Sequence, residues 1–205
     1  MIVEIFFSVT AAAVLTVVGS LWINGLYRTS TELTFPKKIY ARARFRVPIL
    51  FVALTFLFVK ISSTPVPEIF FTAAAIWLLA LMTVTDFEQY MLFDAMTLPL
   101  AIIGGFFSWH AGANFFDVTG AAIIGGGFFL LLAVVTGALG GGDVKLIAAL
   151  GLWLGCEKLL SVVLIGSIAG GVAALLMILT RKKDRRSYFA YGPYFTLAAI
   201  YVLLT

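Results

Sequence analysis

"VVTGALGGGDVKLIAALGLWLG", Val134 to Gly155, sets three consecutive glycines, an aspartate and a lysine between two runs apolar enough for lipid. An ionised carboxylate beside hydrocarbon is expensive, and a Gly-rich break gives up helix hydrogen bonds. The chain around it has 205 residues, of which 62% are hydrophobic and 12% charged. A soluble domain carries about 25% charged residues. No single core of this length can absorb so much apolar surface, so lipid must cover much of it. The composition predicts an all-α, polytopic membrane protein forming one domain over residues 1–205. Within that fold the break at 140–143 needs a reason.

Apolar runs lie at roughly 3–23, 47–62, 68–86, 95–109, 117–137, 143–156, 159–180 and 188–204. They predict about eight transmembrane helices. A full crossing takes about 20 residues, so the fourth and sixth runs are short and are expected to be broken or to flank a cavity near one membrane face. The N-terminal run lacks the basic segment of a signal peptide and is expected to remain as the first span. Small residues three or four apart at 125–127, 151–155 and 166–171 predict close-packing faces between spans.

The net charge of +4 comes from clustered residues. Arg28, Lys37, Lys38, Arg42, Arg44 and Arg46 fall in the connection 24–46, and Arg181, Lys182, Lys183, Arg185 and Arg186 fall in "RKKDRR". With eight spans both connections share one side, and the positive-inside rule makes it cytoplasmic, with both termini extracytoplasmic. The connections "SSTPVPE" and "HAGANFFD" on the other side carry no Lys or Arg. Residues 24–46 are thus expected to be a short basic cytoplasmic loop that determines topology and meets lipid headgroups. Clustering of this kind argues against a nucleic-acid partner. The single cysteine, Cys156, excludes an internal disulfide and a multi-cysteine metal site.

On the cytoplasmic side the acids gather. "TDFEQYMLFDAMT" and "GALGGGD" hold Asp86, Glu88, Asp94 and Asp143, at the ends of the third to sixth spans. Asp86 closes the third run and Asp143 opens the sixth. The glycines before Asp143 let the backbone turn without a Cβ clash. Two carboxylates that meet cannot both ionise easily, so they share a proton and titrate as a pair. Such a pair can hold a water, deprotonate it and protonate a leaving amide nitrogen, which is the equipment of aspartic proteolysis. Each motif alone also reads as a capped turn or an acidic loop; their conjunction on one side carries the reading.

The conjunction resembles the type IV prepilin peptidases, membrane aspartic proteases of the GxGD class. Those proteins carry an aspartate segment like D-x-D-x(5)-D-x-L-T-x-P, seen here as "DFEQYMLFDAMTLP" (Asp86 to Pro99) with Glu88 as the second acid. Their G-x-G-D-x-K-L segment stands here as "GGGDVKL" (Gly140 to Leu146), and "FAYGPYFTLAA" resembles their F-G-P-x-L-A element. The resemblance implies that Asp86 and Asp143 are the catalytic pair and that Gly140 and Gly142 shape the turn presenting Asp143. Glu88, Asp94 and Lys145 match family positions of supporting or substrate-binding kind. As a neighbouring acid, Glu88 is expected to tune the pair's titration. The resemblance further implies a prepilin-like substrate with a basic leader and an apolar N-terminal helix, cleaved at the cytoplasmic face of the inner membrane in type IV pilus assembly or protein secretion. No metal or other cofactor is expected.

Many bacterial members of that family carry two C-x-x-C pairs after the first span, associated with zinc and with N-methylation of the product. Residues 24–46 contain no cysteine, so zinc and methyl transfer are not expected here. Two alternatives use the same aspartates: a preflagellin or other intramembrane GxGD protease, and a proton- or cation-coupled transporter. The transporter predicts internal repeats and mid-membrane acids, and the sequence offers neither.

Overall fold

The computed structural model describes residues 2–31, 33–137, 139–180 and 190–205, and every regular element among them is helical. The helices are α1 (Ile2–Thr29), the short α2 (Ile39–Arg42), α3 (Arg46–Ile61), α4 (Glu68–Gln89), α5 (Asp94–His110), α6 (Phe115–Thr136), α7 (Gly141–Leu179) and α8 (Gly192–Leu204). Two 3₁₀ turns, Pro36–Lys38 and Ala43–Phe45, flank α2. The basic run 181–186 lies outside the described residues.

Helix ends follow local chemistry. Asn114 caps α6 by accepting the Phe116 N–H at 2.9 Å, and Gly137 ends it in the left-handed region at φ 62. The connection expected at 24–46 is shorter and more ordered than its sequence suggests, because α1 runs on to Thr29 and the remainder coils into α2 and its flanking turns.

α7 is nominally one helix of 39 residues, but Gly155 interrupts it at φ 69, ψ −177. A methyl group on Gly125 of α6 would lie 3.3 Å from Ile147 and 2.7 Å from Leu159 at once. A straight helix would hold those two side chains about 18 Å apart. The chain therefore reverses at Gly155, giving an outgoing arm (141–154) and a returning arm (156–179), as the two separate apolar runs anticipate. Further along the returning arm, Gly170 meets Tyr191 and Tyr194 at the start of α8, back at the end where the outgoing arm began. Asp117, in the first turn of α6, steadies the reversal: its carboxylate accepts the Cys156 N–H at 3.3 Å. A Cβ on Gly155 would strike the Oδ2 of that carboxylate.

α4 and the outgoing arm form the centre. Ile76, Leu79, Leu81 and Met82 from the one, and Leu146, Ile147, Leu150 and Trp153 from the other, are buried. Trp153 fixes the arm to α5: its indole N–H donates to Leu100 O at 2.6 Å and its ring stacks on Phe107 at 4.9 Å. Gly151 lets α6 come to backbone contact, since a Cβ there would lie 2.5 Å from Ala122 N. α1, α6 and the returning arm instead turn Phe6, Leu21, Ile123, Val134, Leu175 and Leu179 outward. Large apolar side chains facing outward on long apolar helices are the surface that lipid covers.

Four described helices are long and apolar enough to cross a membrane: Val3–Thr29 within α1, α4, α6 and α7. α3, α5 and α8, at 16, 17 and 13 residues, are shorter. An all-α, multi-pass membrane fold follows, while helix length alone does not establish the expected count of about eight crossings.

Candidate active site

Asp86 sits on the last turn of α4 and is 5% exposed. That helix stops at Tyr90, a non-glycine residue at φ 56 whose N–H donates to Asp86 O at 2.9 Å. Asp143 is the third residue of α7 and is 9% exposed. Its Oδ2 accepts the Gly140 N–H at 3.1 Å, and its own N–H donates to Gly140 O at 3.1 Å. This is the acidic half of a capping box, so helix formation itself orients the carboxylate. Asp86 and Asp143 lie close enough for their charges to interact.

α8 completes the pair. The Gly192 backbone lies against the Asp86 carboxylate. A Cβ on Gly192 would sit 2.5 Å from Asp86 Oδ2 and 3.1 Å from Cγ, so only glycine lets the backbone come this near. One turn on, Thr196 Oγ1 lies 2.7 Å from Thr83 Oγ1 and ties α8 to α4. Asp86 Oδ2 is buried and has no hydrogen-bond partner among the described residues. Gly192 stands in the "FAYGPYFTLAA" element but was not among the residues expected in the site; the Gly-Pro pair at a helix start was the available signal.

The two glycines assigned to the Asp143 turn behave differently. Gly140 is extended (φ −80, ψ 153), and a Cβ there would be 3.6 Å from Asp143 Oδ2, an ordinary contact. Gly142 is required by crowding, because a Cβ would lie 2.9 Å from that of Leu92. The left-handed residue of this connection is Gly137, not the GGG run. Leu92 also reaches the point where a Gly192 Cβ would be, at 3.2 Å, so it wedges between the two glycines beside the carboxylates.

Asp94 and Lys145 meet each other: Lys145 Nζ lies 2.7 and 2.6 Å from the two Asp94 oxygens, on the surface. The pair borders a cavity of 590 Å³ that also touches Thr29, Thr31, Leu92 and Gly142, directly beside the Asp143 turn. Glu88 is elsewhere. It is buried against Arg46, which donates through Nε (2.9 Å) and Nη2, and against the Tyr27 hydroxyl at 3.0 Å. Arg46 also reaches Asn24 Oδ1 at 2.7 Å, so the cluster joins α1, α3 and α4. In this position Glu88 anchors α4 to α1 and α3. Arg42 adds a second brace, donating to the Phe87 and Glu88 carbonyls at the end of α4 and stacking over Phe35 at 4.2 Å. Neither arginine announces this in the sequence, where both read as topology determinants.

His110 stacks on Phe71 at the far end of α5, away from Asp94. Among the described residues no three His, Cys, Asp or Glu side chains are grouped as a metal site.

The family model described as the Type IV leader peptidase family matches residues 73–175, which include Asp86 and Asp143. A protein of Aeromonas salmonicida named "Prepilin leader peptidase/N-methyltransferase" is 30% identical over 206 residues, covering 96% of this chain and 67% of its own. Proteins of the same name from Aeromonas hydrophila and Neisseria gonorrhoeae are 33% and 36% identical, over 58% and 42% of their lengths. No solved structure gives a significant match.

Proposed function

The chain belongs to the type IV leader peptidase family, and on that premise we propose that it is a membrane aspartic endopeptidase cleaving the leader of prepilin-like proteins. The observation that carries the reading is that Asp86 and Asp143, from α4 and α7, are both buried and within range of each other's charge, inside the matched region. In the reaction one carboxylate, ionised, takes a proton from water as the water oxygen adds to the scissile carbonyl carbon. The other, protonated, gives its proton to the amide nitrogen as the C–N bond breaks, leaving a new carboxyl group and a new amine. The close backbone of Gly192 positions Asp86, and the capping contact with Gly140 orients Asp143.

The substrate in this reading carries a basic leader ahead of an apolar helix, which the membrane presents at the level of the dyad. The basic residues of 28–46 support a cytoplasmic position for the dyad end. The reading is of cleavage without methyl transfer, because the connection after α1 carries no cysteine pair. Purified protein in detergent, given a leader-bearing substrate and a methyl donor, should release a product whose mass shows a free N-terminus, in equal yield with a chelator. Uncut substrate refutes the peptidase, an added methyl group refutes cleavage alone, and loss of activity on chelation refutes activation of water by carboxylates.

A further inference from the structure

α3 and α8 both pack on α4 and leave between them a groove of 430 Å³ on a face of α4 that does not include Asp86. Ala53 and Leu57 of α3, Ala80 and Val84 of α4, and Leu197 and Ile200 of α8 line it. Its head is charged. Arg46 and Glu88 meet there and neutralise each other. Arg42 does not pair with a carboxylate: its Nε and Nη2 donate to the Glu88 and Phe87 carbonyls, and Nη1 has no partner among the described residues. A half-buried guanidinium with an unmatched charge and a free donor thus stands at the head of an apolar channel.

We propose that this groove binds one anionic glycerophospholipid, its phosphate on Arg42 and an acyl chain along α3, α4 and α8. Length supports a lipid: Phe45 to Leu57, both on the lining, span about 18 Å of helix, against roughly 15 Å for half the hydrocarbon core. Charge selects the headgroup, since the positive end of the groove favours a net-negative lipid over a zwitterionic one. The same guanidinium holds the carbonyls that end α4, so a phosphate seated there steadies the turn that carries Asp86.

The full chain, purified in detergent and supplied with equal phosphatidylglycerol and phosphatidylcholine of matched chains, is read by native mass spectrometry. The wild type should keep about one phosphatidylglycerol per chain, favoured about fivefold over phosphatidylcholine, as expected for one basic residue at a membrane surface. Ala53→Phe fills the groove and should lose retention of both lipids, with helical circular dichroism unchanged. Arg42→Gln leaves the groove open and should lose the preference alone. Equal retention of the two lipids by the wild type, or undiminished retention by folded Ala53→Phe, overturns the proposal.

Discussion

Asp86 and Glu88 are acids two residues apart on α4, each 5% exposed, and they have opposite surroundings. Two helical positions are about 200° of rotation, so the carboxylates face different neighbours. Glu88 looks toward α1 and α3, where Arg46 and Tyr27 supply cationic and hydroxyl donors. Asp86 looks toward α7 and α8, where it meets the Gly192 backbone and comes within charge range of a second acid. Burial is therefore no mark of function here. A desolvated carboxylate that is matched by a cation is an anchor; one whose neighbour is another carboxylate is not compensated, and that imbalance is the property a general acid–base pair uses.

Breaking the dyad should give the largest effect. Asp86→Asn and Asp143→Asn should each lower kcat at least about 10⁴-fold, and the double variant should be little worse, because the two act as a unit. Neither should shift the melting temperature in detergent by much, since asparagine keeps the shape of the side chain and its amide oxygen can still accept the Gly140 N–H at position 143. Substantial turnover by either single variant, assayed on a leader-bearing substrate, would remove that carboxylate from the reaction.

Next in size is the contact from α8. Gly192→Ala places a methyl group 2.5 Å from Asp86 Oδ2, and displacing a reacting group by about 1 Å can cost 10²-fold. A fall of that order in kcat is expected. Gly171→Ala, where a Cβ would meet nothing within 4 Å, should leave kcat unchanged. Equal kcat in the two variants would mean that α8 does not position Asp86.

Glu88→Gln should reverse the pattern. It leaves Arg46 buried without its counter-charge, a loss of about 3–5 kcal/mol, while turnover per folded molecule stays near wild type. Thermal unfolding and active-site counting separate the two quantities. Unchanged stability with a shifted pH–rate profile would restore Glu88 to the tuning role that its motif suggests.

The parts of this molecule legible in sequence are those set by composition and spacing. Apolar runs located the helices, and the break between the runs 143–156 and 159–180 fell close to the reversal at Gly155 hidden inside α7. The aspartates were legible because acids are rare in such a chain and stand beside glycines at run ends. The direction of Glu88 was not legible. Motif adjacency put Glu88 beside Asp86, and only the helical rotation sends it to Arg46. Nor does sequence spacing show that Arg42 and Arg46 fold back onto α4, because their partners are distant in the chain. The glycines divide the same way: all three of the GGG run look alike in sequence, yet Gly142 is crowded and Gly141 is not.

The smallest effect should come from the second acid–base pair, Asp94 with Lys145. Lys145 stands two residues beyond Asp143 as Glu88 stands two beyond Asp86, and it too is turned away from the dyad. Its ion pair, however, is on the surface, with side chains 57% and 68% exposed. Solvent screens such a pair, so Lys145→Met or Asp94→Asn should change stability by about 1 kcal/mol at most. Because the pair borders the cavity beside the Asp143 turn, its contribution should appear in KM, with kcat retained, as for a contact made equally in bound substrate and transition state. The KM effect should shrink from low to high salt, since charges at this exposure are screened within about 8 Å at 0.15 M. A kcat loss comparable to that of Gly192→Ala, insensitive to salt, would place Lys145 with the dyad and end the parallel with Glu88.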